Sequence, residues 1–345
     1  MFGKKAWWFL LVVVLVTGLM FAGCDGDDED EEIVYPQDRE IDMVVPWGEG
    51  GMTDRTARNM APMLEDALGE AVVVENRSGA SGGIGTEFVA EAQPDGHTLL
   101  FTAETPAGVL QVQDISNTSF DDFEVIKVLT MGVPVIAVHA DAEWDTLEEF
   151  IEYARENPGE IDAGHAGAGT SGHIAMLMLE ELGVEMNEIP YDGGGPAVTA
   201  TLGGEVDVNF QSPTEVIEYV RAGDLKILGA FDNETLPFEG MEDVEPLGEA
   251  YPEVSDMLPW GPWYGLVAPE GTPDEIVNTL RDAVDEVIAR EDWQEFVEEM
   301  MAIELYYDGE EAEEFIEGWQ STTTWLLYDA GAAEKSPEEF GIPRP

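Results

Sequence analysis

The chain has 345 residues and a single cysteine, Cys24. One cysteine excludes an internal disulfide framework and any cysteine-based zinc cluster. Basic residues are nearly as scarce. Fourteen Lys and Arg stand against 74 Asp and Glu, a formal net charge of -60. Beyond the first five residues the only lysines are Lys127, Lys226 and Lys335. Such a surface repels phosphate backbones, so nucleic acid is excluded as a partner. His97, His139, His165 and His173 are the only histidines and lack metal-ligand spacing; no metal or other cofactor is expected. Apolar residues are not lacking. At 44% they separate this chain from a disordered acidic tail, and its length suits one large domain or two ordinary ones.

The negative charge is spread along the whole chain. In dilute salt it destabilises the compact state by self-repulsion, whereas molar salt shortens the screening length to about 3 Å and removes much of that cost. The composition therefore reads as adaptation to a salt-rich, halophilic habitat.

Residues 1–23 read as an export signal peptide. Lys4 and Lys5 form the basic start, Ala6 to Thr17 is an unbroken apolar run, and small residues lead to Cys24. Phe21-Ala22-Gly23-Cys24 resembles a bacterial lipobox, in which the cysteine becomes the lipidated first residue; Phe21 departs from the usual Leu. The alternative is an uncleaved anchor, the apolar stretch being only just long enough to span. Both readings place the remainder outside the cytoplasmic membrane. Removal of 1–23 takes away two lysines and no acid and leaves a charge of -62. Residues 24–35 then form an acidic tether, whose DGDDEDEE run lacks the ligand spacing and sixth-position glycine of a calcium loop.

From Tyr35-Pro36 onward, apolar runs and helical patterns alternate. Strands are predicted at Ile41–Val45, Ala71–Glu75, Thr98–Thr102, Val133–Val138, Glu160–Ala163, Glu205–Phe210, Lys226–Ala230 and Trp263–Ala268. Helices are predicted at Thr53–Leu68, Ile84–Ala92, Thr146–Glu156, His173–Leu182, Pro213–Ala222 and Pro273–Ala289. Thr53 and Thr272 are the expected caps of the first and last, and Pro62 predicts a kink or break. The alternation implies an α/β architecture with largely parallel sheets.

Three glycine-rich loops each follow a strand and open a helix: Pro46 to Asp54, Arg77 to Gly85, and Ala163 to His173. A helix start leaves backbone N–H groups unpaired and carries partial positive charge, and glycine lets a ligand approach the backbone. Such a loop suits a carboxylate or phosphate. A tight turn without a ligand would explain any one of them; three in one chain favour a site. Gly167, Gly169 and Gly172 make a formal GxGxxG, a weak dinucleotide signal that mid-chain position and export make improbable.

On these residues the chain resembles the substrate-binding receptors of tripartite tricarboxylate transporters, the Bug receptors. The resemblance runs in order through IDMVVPWGEGGMTDRTAR, VVVENRSGASGGIGTEFVAEAQPDGHTLLF, AGHAGAGTSGHIA, PYDGGGPAVTATLGGEVDVNF and WYGLVAPEGTP. It implies a two-lobed periplasmic-binding-protein (Venus flytrap) fold, type II-like, with the ligand cleft between lobes: residues 36–133 plus 269–345 in lobe one, 134–268 in lobe two. It implies a receptor without chemistry that delivers a small carboxylate solute to a large and a small membrane subunit. The receptor is expected to be a monomer held to the outer face of the membrane by the lipid on Cys24. Carried over residue by residue, the site comprises Trp47, Gly48, Glu49, Gly50, Gly51, Thr53 and Asp54, then Ala166, Gly167, Gly169, Thr170, Ser171 and His173. Tyr191, Asp192, Gly193 and the strand end Asn209-Phe210-Gln211 are expected to face the cleft from the other lobe.

Glu49 and Asp192 depart from the family pattern, Glu49 replacing a small residue and Asp192 a frequent Lys; both disfavour an anion. Arg55, Arg58 and Arg77 lie near two of the loops and read as structural ion pairs, the alternative being a ligand contact by Arg55 or Arg77. Trp260, Trp263 and Tyr264 read as hinge packing, and Trp47 as a wall of the site. Two other readings stay open: a sensor feeding a membrane signalling partner, and an exported hydrolase using Ser171, His173 and Asp192. The charge itself carries a prediction. The melting temperature is expected to rise as KCl goes from about 0.1 M to about 1 M; a flat profile contradicts the salt-adapted reading.

Overall fold

The computed structural model describes residues 35–36, 39–104, 106–167, 169–191, 193–236 and 243–345. The leader, Cys24, the DGDDEDEE run and Asp192 lie outside the described residues.

Two sheets form. The first contains β1 (Ile41–Val45), β2 (Val72–Asn76), β3 (Thr98–Ala103), β4 (Phe123–Gly132), β10 (Trp263–Pro269) and β11 (Ala302–Tyr307), in the order β11-β4-β10-β3-β1-β2. The second contains β5 (Val135–His139), β6 (Asp162–His165), β7 (Asn187–Pro190), β8 (Val208–Gln211) and β9 (Leu225–Ala230), in the order β7-β6-β8-β5-β9. Between the strands of the first sheet run α1 (Met52–Leu68), α2 (Gly83–Ala90) and the short α3 (Val109–Val112). The second sheet carries α4 (Leu147–Glu156), α5 (Ser171–Glu180), α6 (Gly194–Gly203), α7 (Pro213–Ala222) and α8 (Leu247–Ala250). The chain closes with α9 (Asp274–Ile288), α10 (Glu291–Glu299) and α11 (Gly309–Asp329).

The α/β expectation holds, but the sheets are mixed rather than largely parallel. β1 pairs in parallel with β2 and β3, and β6 with β7 and β8; β10 runs antiparallel to β3 and β4, and β5 antiparallel to β8 and β9. The cause is the path of the chain. Parallel neighbours are joined through helices, whereas β5 and β10 enter their sheets from the crossings between the sheets. β10 also corrects the lobe boundary at 268/269. It sits in the middle of the first sheet, so the return crossing ends near Pro262.

The alternation of strand side chains decides the layers. Ile41, Met43, Val45, Leu99 and Phe101 meet Met60 and Leu64 of α1 and Leu280 and Val284 of α9 on one face. Val44, Leu100 and Val267 meet Val89 of α2 on the other. α1 runs through Pro62 unbroken and stops at Gly69, whose φ of 76° is a left-handed cap. Neither expected threonine caps its helix. Gly51 and Pro273 occupy those positions, and the Thr272 hydroxyl donates to the Pro269 carbonyl instead. Lys127 on β4, 3% exposed, ties that strand to Asp285 on α9 and Asp308 before α11.

The two sheets are joined by two crossings that lie side by side. β4 leads into β5 through Val133-Pro134, and Pro259 to Pro262 leads back into β10. Gly132 N–H donates to the Pro262 carbonyl at 2.8 Å. α11 packs on both β4 and α5 and fastens the return crossing. Its Trp319 stacks on Trp260 with ring centroids 5.9 Å apart, and the Trp319 indole N–H donates to the Gly261 carbonyl at 2.9 Å. The Trp260 indole N–H donates to the Thr323 hydroxyl at 3.0 Å. Trp260 and Trp263 are fully buried here, as packing rather than as ligand walls. A Cβ on Gly261 would lie 1.8 Å from the Gly132 carbonyl oxygen, so the crossings can touch only because glycine is there. Gly261→Ala is expected to cost about 3 kcal/mol in urea unfolding; a loss below a tenth of that would show that the crossings part without cost.

Candidate functional site

Each of the three glycine-rich loops lies between a strand end and a helix start. The first is shaped by Asp54, which is 3% exposed. Its carboxylate accepts the Gly50 N–H at 2.8 Å, Arg58 Nε at 2.9 Å and Asn76 Nδ2 at 2.9 Å. Asn76 Nδ2 also donates to the Trp47 carbonyl, and Arg58 to Asn76 Oδ1. Burial alone would raise the Asp54 carboxyl; the hydrogen bonds from Gly50, Arg58 and Asn76 outweigh it and hold the group below the ordinary carboxylate range. The Trp47 indole lies over Gly82 of the second loop, where a Cβ would come within 3.0 Å of the ring.

The third loop is held by two histidines. His165 and His173 are buried and stacked, with ring centroids 4.8 Å apart. Thr170 Oγ1 donates to the Gly167 carbonyl at 2.7 Å. Gly169 N–H donates to His173 Nδ1 at 3.0 Å, which places the His173 proton on Nε2, facing Glu188 at 3.4 Å. Burial, then the neighbouring His165, keep His173 below its ordinary pKa. His165, His173 and Glu188 bring possible metal donors within 4.8 Å of one another. With its Nε2 protonated and its Nδ1 accepting the Gly169 N–H, His173 has no lone pair to offer a metal, and it reads as a brace for the loop. Among the described residues neither ring nitrogen of His173 is hydrogen-bonded to Ser171, so no Ser–His dyad forms.

Loops from both sheets meet in a cleft of about 410 Å³. Trp47, Gly51, Thr53, Ala166, Gly169, Thr170 and Ser171 line it, as does Gln211. Three helix starts open onto it: Gly51-Met52-Thr53 of α1, Thr170-Ser171 of α5 and Gly194 of α6. None of these starts has a side-chain cap, so their first N–H groups are left for a ligand.

Other sequence-predicted residues stand behind the wall. Gly48, Glu49 and Gly50 are exposed on the loop and do not line the cleft. Asp54, Gly167 and His173 shape loops rather than line it. Tyr191 packs against β6 near Gly164, and Gly193 is the N-cap of α6 with φ 111°. Asn209 is fully buried and donates to Thr201 Oγ1 at 2.7 Å, a bond inside the second lobe. The arginines do not reach the cleft. Arg58 pairs with Asp54, Arg77 pairs with Glu75 and lies 3.5 Å over the Phe88 ring, and Arg55 is exposed.

Sequence reasoning missed Glu104, Gln113 and Glu215 and took Tyr264 for hinge packing; all four line the cleft. A signal existed for Glu104. It follows the apolar strand TLLFTA, and the carboxyl ends of strands in α/β sheets are where ligands bind. Burial pushes the Glu104 carboxyl up to about 7, and it raises Glu215 too. Burial, then Glu104 and Glu215, raise Tyr264.

Two α/β sheets joined by paired crossings, with helix starts from both facing one cleft, define a two-lobed solute-binding protein. The family model for the tripartite tricarboxylate transporter family receptor (TctC) matches residues 56–324. Protein BugT of Bordetella pertussis is 32% identical over 259 residues, covering 74% of this chain and 77% of BugT. The crystal structure of a TctC solute binding protein from Polaromonas superposes with a TM-score of 0.74 at 30% identity, covering 86% of this chain and 100% of that one. MatC from Rhodopseudomonas palustris, solved with bound malate, superposes with a TM-score of 0.65 at 27% identity, covering 83% and 99%. The chain belongs to the tripartite tricarboxylate transporter receptor family, whose members are solute-binding receptors rather than enzymes.

The Asp54 knot has a pH signature. A carboxyl with a depressed pKa contributes stability that is fully present above the ordinary value of about 4 and is lost as pH falls through the depressed one. Asp54→Asn is expected to cost about 2 kcal/mol at neutral pH, the deficit narrowing in acid. Urea unfolding at stepped pH measures it; a deficit independent of pH would sink the assignment.

Proposed function

We propose that this protein is an extracytoplasmic receptor that captures a small carboxylate-bearing solute and hands it to the large and small membrane subunits of a tripartite transporter. The observation that carries this reading is the convergence of three helix starts without side-chain caps on one cleft. Their N–H groups and partial positive charge act at contact distance, where distant acidic side chains are screened. Bound malate in MatC supports the ligand class.

In this reading residues 1–23 are removed, lipidated Cys24 holds the chain to the outer face of the membrane, and the acidic tether spaces the domain from it. Lobe one comprises residues 36–133 and the C-terminal helices, lobe two the segment up to the return crossing, and the paired crossings form the hinge about which a monomer closes. The surface charge is matched to a salt-rich medium.

The test is thermal unfolding of residues 24–345 in about 1 M KCl with a panel of mono-, di- and tricarboxylates and amino acids. A ligand that binds only the folded state raises the melting temperature with its concentration. Gly51→Asp separates binding from folding. Gly51 has room for a side chain, its nearest neighbour lying 3.6 Å from a Cβ. Asp is a strong N-cap, so the empty variant should melt no lower than the parent, while its carboxylate occupies the anion site and abolishes the ligand shift. An unchanged shift in that variant would remove the α1 start from the site.

A further inference from the structure

The cleft is not uniformly suited to anions. Among the described residues its titratable lining consists of Glu104, Glu215 and Tyr264, and neither Lys, Arg nor His lines it. A receptor for a plain di- or tricarboxylate gains nothing from two carboxylates in its own wall; in their ionised forms they repel it at close range.

One of the two acids is also short of a partner. Glu104 Oε2 is buried without a hydrogen-bond partner, an arrangement that folded proteins rarely tolerate unless a ligand or water completes it. Across the cleft, Glu215 and Gln211 approach the start of α6 together. Glu215 Oε1 lies 2.5 Å and Gln211 Oε1 2.6 Å from the point where a Cβ on Gly194 would stand. Gln211 is only 6% exposed, and its Nε2 is buried without a partner. The Glu215 carboxylate and the Gln211 side-chain carbonyl therefore lie side by side against the α6 start, an acceptor-rich corner of the wall that suits a ligand donor. Tyr264 lies within electrostatic reach of both acids, and a tyrosine ring presents its face to a cation favourably.

Resting on the receptor reading above, we infer that the ligand is a zwitterion whose cationic nitrogen is held by Glu104 and Glu215 beside Tyr264 while its carboxylate meets the starts of α1 and α5. The cleft then has an anionic wall and a wall of N–H donors, and a ligand with both charges satisfies each. Discrimination works by repulsion as well as attraction. A second carboxylate on the ligand would face Glu104 and Glu215, whereas an amine in its place is drawn to them. Entry of the cation also draws the Glu104 proton off, because an adjacent positive charge favours the carboxylate.

Matched pairs test this: succinate against β-alanine, glutarate against 4-aminobutyrate, and adipate against 5-aminopentanoate. In each pair an amine replaces one carboxylate on the same chain. Calorimetric titration and thermal shift are read on the parent, Glu104→Gln and Glu215→Gln. Glutamine copies the shape and the donor of a protonated glutamic acid without its charge, so Glu104→Gln distinguishes a neutral hydrogen-bonding role from an anionic one. The expected result is amine-bearing members binding at least about tenfold more tightly than their partners, with each variant losing that preference while melting no lower than the parent. Tighter binding of the dicarboxylates by the parent, or a preference for amines retained in Glu104→Gln, overturns the cation site and leaves the receptor reading intact. Absence of any shift across all six compounds overturns both.

Discussion

The contact on which the molecule depends is between two backbones. Gly261 lies against the Gly132 carbonyl closely enough that a single methyl group would separate them. One chain builds both sheets here, so it must leave the first and return. Laying the two crossings against each other confines that passage to a narrow neck. α11 then fastens the neck from one side, with the Trp319 indole on the Gly261 carbonyl and the Trp260 indole on Thr323. The last third of the chain is therefore more than a cover for the first sheet. It secures the junction beneath which the cleft opens.

From that junction follows the electrical character of the site. A protein with 74 acidic residues and 14 basic ones has little cationic charge to spend on a ligand, and its arginines near the loops do not line the cleft. Arg58 is bound to Asp54 and Asn76, and Arg77 to Glu75 and the Phe88 ring. What remains is the backbone. Helix starts offer donors that carry no formal charge, are unaffected by the acidity of the surface, and are aimed by the strands that precede them. Polar side chains in the loops serve this end indirectly. Asp54 takes the Gly50 N–H and His173 takes the Gly169 N–H, so both loops are rigid without their helix starts being capped.

The loops were legible because glycine, strand end and helix start fall in a fixed local order, which a sequence displays directly. The strand β4 was not read at all, although it is ten residues long. FEVIKVLTMG places Lys127 and Glu124 within the apolar run, and nothing local reveals that Asp285 and Asp308 neutralise that lysine from far along the chain. Strand β11 was missed for a similar reason: AIELYY is half-exposed and gains its order from pairing with β4. Asn209 was placed in the cleft because its strand ends there. The strand does end there, and Asn209 and Gln211 share one of its faces, but Asn209, set back from the end, is covered by Thr201 of α6, and only Gln211 at the tip reaches the ligand space.

By itself the sequence determined much of the alternation of strands and helices, two of the three helix starts that open onto the cleft (those of α1 and α5) and the acidic surface, because each depends on neighbours a few residues apart or on composition. The tertiary structure alone decided which side chains share the cleft. Glu104, Glu215 and Tyr264 lie far apart in the chain and belong to both sheets, and Glu49, adjacent in sequence to the first helix start, remains outside. Proximity across a hinge is set by how two sheets are held together, and that is a property of the packed crossings rather than of any segment.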